Sequence, residues 1–383
     1  MLTYVALPYQ MFQLTHSSLA VGMLGVAELV PLLMTAFIGG ALADSVDRLR
    51  LVIVSDVLLA LGSLTLALLA LARAPSPLIL YALAGFMSGM TGIQRPSIDA
   101  MMPRLVPREH LPAAAALQSF RGSLIMIIGP AIGGILIASV GLPFTYAMDV
   151  LSYLIALVCL MMIRSPAARA AASESPTLES IREGFRYAWS RQELVGTYVV
   201  DFVAMIFGMP MALFPALSEK LGGPSVLGVL YACPAVGALI ASVTSRWTPR
   251  VKRHGLAVTI AAAVWGVAIV VFGFCDSIVP AAFFLALAGG ADAVSGIFRS
   301  TMWNQTIPDH LRGRLAGIEM VSYMSGPMLG NLEAGLAAAA FGLRTSVVSG
   351  GVLCIVSVAV CAIALPKFIS YDADEFRKRQ LPS

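Results

Sequence analysis

Gly40-Ala-Leu-Ala-Asp44-Ser-Val-Asp47-Arg48-Leu-Arg50 is a short charged run between two long apolar stretches, residues 19–43 and 51–72. A helix needs about 20 apolar residues to cross roughly 30 Å of hydrocarbon. Each flank is long enough to span, so the run between them is a loop at a membrane surface. The same alternation continues outward in residues 78–102, 113–140, 143–163, 194–217, 226–245, 256–274, 279–302, 315–341 and 346–365, which makes eleven apolar stretches in all.

Charge gives these stretches an orientation. Of 25 Lys and Arg residues, 19 lie in one alternating set of loops: Arg48, Arg50, Arg104, Arg108, Arg164, Arg169, Arg182, Arg186, Arg191, Arg246, Arg250, Lys252, Arg253, Arg312, Arg314, Lys367, Arg377, Lys378 and Arg379. Arg73, Lys220 and Arg344 make up the other set, and Arg95, Arg121 and Arg299 fall inside spans. Basic loops stay cytoplasmic, so the linker between the halves and the C-terminal tail are expected inside the cell. Composition agrees: 58% hydrophobic residues, 12% charged and a mean hydropathy of +0.85 describe a chain solvated by lipid rather than one closing around a soluble core. Topology accounts for the net charge of +4 without nucleic acid. The five cysteines all lie within apolar stretches at no ligand-like spacing, and the four histidines lie at stretch ends. Neither a metal site nor any cofactor is expected.

Eleven spans would leave the N-terminus outside, yet residues 1–15 are apolar and too short to cross. They lack the basic start and small-residue cleavage site of a signal peptide. The expectation is an all-α integral membrane protein of twelve helices, the first of them truncated here. Its divisions are a bundle of helices 1–6 at 1–163, a linker at 164–193, a bundle of helices 7–12 at 194–365 and a cytoplasmic tail at 366–383. Within the linker, Leu178, Ile181, Phe185 and Trp189 recur at helical spacing opposite Arg182, Glu183, Arg186 and Ser190, the pattern of a helix lying on the bilayer surface. The halves repeat weakly. Gly92-Ile-Gln-Arg95 matches Gly296-Ile-Phe-Arg299, and Gly129-Pro130-Ala-Ile-Gly133 matches Gly326-Pro327-Met-Leu-Gly330, which implies parallel six-helix repeats with a substrate site near the midplane.

The run at 40–50 resembles the signature loop of the major facilitator superfamily, Gly-x-Leu-x-Asp-Arg-x-Gly-Arg-Arg. Gly40, Leu42, Asp44 and Arg48 match it, while Ser45 and Asp47 depart from it. The resemblance implies a gate in which Asp44 docks on the positive N-terminal end of helix 11, beside Arg312 and Arg314. Gly129, Pro130 and Gly133 resemble the bendable helix 5 motif of exporters in this superfamily. More closely, the chain resembles the enterobactin-exporter branch and related macrolide-type efflux pumps. This likeness is carried by Val5-Ala-Leu-Pro-Tyr-Gln, Thr15-His-Ser-Ser18, Ile181-Arg-Glu-Gly-Phe-Arg-Tyr, Asp201-Phe-Val-Ala-Met-Ile-Phe-Gly-Met-Pro210 and Leu230-Tyr-Ala-Cys-Pro-Ala-Val-Gly237. It implies proton-driven, alternating-access export of a siderophore or an amphiphilic drug by a monomer in the cell's inner membrane. An importer on the same fold and a non-transporting sensor are the alternatives; no nucleophile, nucleotide loop or metal cluster suggests an enzyme.

Ionisable groups at membrane depth are costly and mark function. The candidates for binding protons or substrate are Glu28, Asp149, Asp201, Asp292, Glu319, Glu333 and the pair Arg95 and Asp99, one turn apart. A carboxylic acid stripped of water can load and release a proton near neutral pH, and Glu28 and Asp201 lead on that ground. Arg121 and Arg299 are expected to snorkel toward water, and Asp56 to sit near the interface. For the gate, Asp44→Asn preserves size and deletes charge. It is expected to impair transport more than expression and to leave the cytoplasmic side open longer, as read by cysteine accessibility; unchanged accessibility with normal turnover would reduce Asp44 to a loop cap.

Overall fold

The computed structural model describes residues 1–72, 76–163, 186–308 and 311–373, and among these the architecture is helical. In chain order the helices are α1 (Leu2–Thr15), α2 (Ser18–Ser45), α3 (Arg48–Leu71), α4 (Pro77–Leu105), α5 (Leu111–Met161), α6 (Gln192–Phe207), α7 (Phe214–Leu221), α8 (Pro224–Val243), α9 (His254–Phe272), α10 (Ile278–Thr306), α11 (Arg312–Phe341), α12 (Leu343–Ala364) and α13 (Pro366–Ile369). Helices are the natural result, because lipid cannot satisfy a backbone group that its own segment leaves unpaired. Leu78, Val279, Met162 and Ile363 are each more than 75% exposed, an outer surface suited to acyl chains and not to water.

Eight helical stretches of the described residues are long and apolar enough to cross a membrane. One of them, α5, has 51 residues; unbroken, it would measure about 77 Å, more than twice the hydrocarbon thickness. It breaks at Gly141 (φ 81°, ψ 174°), a conformation that residues with a Cβ avoid, and so forms two spans on either side of the expected boundary. The same device recurs at Gly342 (φ 88°, ψ 162°) between α11 and α12. Helices α4 and α11, 29 and 30 residues long, cover the two remaining apolar stretches of the sequence. Helix α1, at 14 residues, is about 21 Å long.

Asp47 takes the place where the superfamily loop has glycine. There it caps α3, accepting from the backbone N–H of Leu49 at 2.9 Å and of Arg50 at 3.2 Å, two donors that a helix start leaves unpaired. Gly40 and its surroundings and the side chains of Asp44, Arg312 and Arg314 lie outside the described residues, as do residues 164–185 with most of the expected surface helix.

The chain groups into two compact units, one of Met1–Ser175 with Pro215–Ala232, the other of Pro176–Phe214 with Cys233–Ser383. In the first unit α4 crosses α2 on a glycine face: a Cβ on Gly85 would lie 2.8 Å from the Ala27 carbonyl, and one on Gly92 2.9 Å from that of Leu32. In the second, Gly289 of α10 lies against the Pro234 carbonyl of α8 in the same manner. The two Gly-Pro motifs also behave alike. Gly129 faces Met1 of α1, and Gly326 faces Met205 of α6, so α1 and α6 hold equivalent places and the repeat read in sequence is a repeat of packing.

At another close crossing in the first unit, between α5 and α8, a Cβ added to Gly134 would stand 2.6 Å from the Cα of Gly228. Gly134→Ala is therefore expected to destabilise the protein by about 1–3 kcal/mol. Gly122→Ala, with nothing within 4 Å of the added methyl, should instead be neutral or stabilise by up to roughly 1 kcal/mol. Thermal unfolding in detergent measures both, and equal midpoints for the two variants would dismiss the crossing as a constraint.

Candidate functional site

In the second unit, the acid that the sequence placed alone on its helix has a partner from elsewhere. Arg299 of α10 forms an ion pair with Asp201 of α6, both side chains only 12% exposed, and its other terminal nitrogen stands 3.5 Å from Asp292. Arg299 thus turns inward rather than snorkelling, because a buried carboxylate rewards a guanidinium more than distant water does. Asp292 precedes Arg299 by two turns on one face of α10. Glu319 of α11 lies within electrostatic reach of both Arg299 and Asp201. Three candidate acids therefore converge on one cation.

Aromatic groups close the cluster. Tyr198, one turn before Asp201, packs against Trp303 with ring centres 5.2 Å apart and is within reach of the Glu319 charge. The Trp303 indole donates to the Thr197 hydroxyl at 2.7 Å, tying α10 to α6. Two buried donors, Arg299 Nε and the Tyr198 hydroxyl, have no hydrogen-bond partner among the described residues, an expensive arrangement in a low-dielectric setting. Glu333 stands 14 residues beyond Glu319 on α11, about 21 Å along its axis, and is not part of this group.

The first unit holds its acids differently. Asp149, 2% exposed, accepts from the Thr3 hydroxyl of α1 at 2.6 Å and the Ser63 hydroxyl of α3 at 2.9 Å; the Met1 amino group is 3.7 Å from its other oxygen. Nearby, the buried Tyr146 hydroxyl donates to Gln10 at 2.7 Å. Asp56, expected near the interface, is buried and accepts from Gln94. Glu28 contrasts with all of these: among the described residues it has no ion pair or hydrogen bond. It lies beside Tyr231, which packs edge-on against Tyr4 at 5.6 Å. Arg95 is exposed, and the side chain of Asp99, its expected partner, lies outside the described residues. A cleft of about 370 Å³ between α2 and α4, lined by Ala27, Pro31, Thr35, Tyr81, Gly85 and Gly89 among others, is apolar and touches none of the candidate acids.

Sequence reasoning missed Thr3, Ser63, Gln94, Thr197 and Trp303. Gln94 did have a signal, since it sits inside the repeated Gly-Ile-x-Arg motif; the hydroxyl residues had none. Removing one member of a buried pair typically costs about 3–5 kcal/mol. Arg299→Gln is therefore expected to destabilise more than the double variant Arg299→Gln/Asp201→Asn, which removes a negative charge along with the positive one. A double variant less stable than the single one would mean that the pair contributes nothing beyond shape.

A family model described as "Transmembrane secretion effector" matches residues 1–382. The enterobactin exporter EntS of Shigella boydii serotype 18 is 28% identical over 361 residues, which are 94% of this chain and 86% of that protein. Among solved structures, a POT family transporter in complex with 5-aminolevulinic acid superposes with a TM-score of 0.75 at 11% identity, over 96% of this chain and 94% of that one. A bacterial homologue of the human lysosomal transporter Spinster, inward-facing and unoccupied, gives 0.74 at 14%, over 97% and 95%. These two likenesses concern the fold.

Proposed function

We infer that this chain, which belongs to the transmembrane secretion effector family, moves its substrate outward in exchange for protons. It is a secondary transporter of small molecules with a major facilitator-type fold. Outward movement is supported by the likeness to enterobactin exporters, and a siderophore or an amphiphilic drug is the cargo class proposed on that basis. The bias of basic residues toward one set of loops supports a cytoplasmic C-terminus. No enzymatic step forms part of this reading.

The observation that carries proton coupling is the contrast between Glu28 and Asp201. Asp201 has its counter-charge in Arg299. Glu28 has no such partner among the described residues. It sits ten residues into α2, about 15 Å from the helix start, half the thickness of the hydrocarbon. A lone carboxylate at that depth is tolerated best when a proton makes it neutral, so Glu28 is the proton carrier. Protonation outside and release inside then alternate with substrate release and loading.

Proteoliposomes loaded with labelled enterobactin and given an imposed pH gradient test the reading. Glu28→Gln, a permanent mimic of the protonated acid, is expected to lose uphill export while keeping downhill exchange. Should Asp201→Asn lose pH-driven export and Glu28→Gln keep it, the carrier is Asp201. Normal uphill export by both variants would rule out coupling through either acid.

A further inference from the structure

The connection between α8 and α9 joins two apolar helices long enough to span, and so it lies at a membrane surface. It carries Arg246, Arg250, Lys252 and Arg253, and no acidic residue occurs in the chain between Glu219 and Asp276. The matching connection of the first unit, from α2 to α3, is mixed: Asp44 and Asp47 stand among Arg48 and Arg50. Orientation in the membrane is set by Lys and Arg, and acids contribute little to it. Topology alone therefore does not call for a basic run from which acids are excluded.

The turn holds these charges in an ordered frame. Ser245–Arg250 is a 3-10 turn without a buried residue, braced by the Thr248 hydroxyl donating to the Ser245 carbonyl at 2.9 Å. Just beyond it, the Lys252 carbonyl accepts from the Ala373 N–H at 3.1 Å, and Arg253 pairs through the backbone with Asp372. Arg246, Arg250 and Arg253 are exposed, and among the described residues none of the three forms an ion pair. An apolar strip leads up to them. Ile240 and Val243, at the end of α8, are 58% and 73% exposed. Trp247 follows about one turn later, also exposed, with its ring centre 6.0 Å from that of the buried Phe298 of α10. An indole between an apolar strip and a set of guanidinium groups marks the level where hydrocarbon gives way to headgroups. A free phosphate would engage only the arginines, whereas a phospholipid matches both halves of the surface.

We propose that the α8–α9 turn is a binding surface for an anionic phospholipid, with the headgroup phosphate held by Arg246, Arg250 and Arg253 and an acyl chain lying along Trp247, Val243 and Ile240. Guanidinium groups match phosphate oxygens in both charge and fork geometry. Each basic residue near an anionic lipid surface strengthens association about fivefold. The turn is ordered beforehand, so binding does not bear the cost of ordering it. The surface lies wholly within the second unit and depends on neither the cargo nor the proton carrier.

The test titrates the full chain, in a neutral detergent, with tail-labelled phosphatidylglycerol and separately with tail-labelled phosphatidylcholine, reading energy transfer from tryptophan to the label. Phosphatidylglycerol is expected to bind about tenfold more tightly or better, and added salt should erode the difference because the arginines are exposed. Arg246→Gln and Arg250→Gln should each weaken phosphatidylglycerol about fivefold and leave phosphatidylcholine unchanged. Arg344→Gln, which removes an exposed arginine that is already paired with Asp276, should change neither. Equal binding of the two lipids, or phosphatidylglycerol binding that survives both arginine substitutions, overturns the proposal. Displacement of phosphatidylglycerol by an equal concentration of inorganic phosphate also overturns it, since the arginines would then serve a free anion. The substituted side chains are exposed, so thermal midpoints should stay at the wild-type value. Should a variant fail to fold, the unmodified protein decides, and a preference for phosphatidylglycerol that does not respond to salt overturns the proposal.

Discussion

Lipid offers no hydrogen bonds, so every backbone group that leaves a helical ladder inside a span must find its partner within the protein. Breaks among the described helices arise in two settings, at the junction of two spans and inside one. At Gly141 and Gly342 a single residue in a left-handed or related conformation ends one helix and begins the next, so few groups are ever released. At 208–213 several are released together, and side chains from α9 and α11 take them up. The first solution turns the chain with one residue. The second relies on two separate contacts, made where other helices stand close enough to reach the backbone.

Close approach is in turn a property of glycine. Gly330 and Gly350 bring α11 and α12 against the carbonyls at the end of α6, and without that proximity Asn331 could not reach Ala212. Tight crossings and polar side chains are thus parts of one arrangement. In a membrane, where apolar side chains gain nothing by leaving lipid for one another, packing and hydrogen bonds between helices carry the association.

The spans, the corners at 141 and 342 and the parallel repeat were legible in the sequence because each depends on residues adjacent in the chain: an apolar run, a glycine between two runs, a Gly-Pro pair at matched positions. The partner of Asp201 was not. Arg299 lies 98 residues away, and nothing along α6 announces it; the charge rules that apply within one helix have no analogue across helices. The same holds for Asp149, whose hydroxyl donors come from α1 and α3. Ser and Thr are common in spans, and only topology distinguishes the two that reach a carboxylate. Asp47 shows a different limit. Compared with a family loop it is a departure, whereas compared with the requirements of a helix start it is a cap.

The two units share a packing plan but not an electrostatic one. Gly129 and Gly326 seat the same motif against α1 and α6, yet the acids around those seats are treated in opposite ways. In the second unit Asp201, Asp292 and Glu319 compete for a single guanidinium, so a shift of Arg299 toward one releases another. In the first unit Asp149 is satisfied largely by hydroxyls and Glu28 stands apart from any cation among the described residues. The repeated Gly-Ile-x-Arg motif therefore holds two unlike arginines, Arg299 buried among carboxylates on α10 and Arg95 exposed at the equivalent turn of α4, because what a helix turn faces is decided by its neighbours and not by its own sequence.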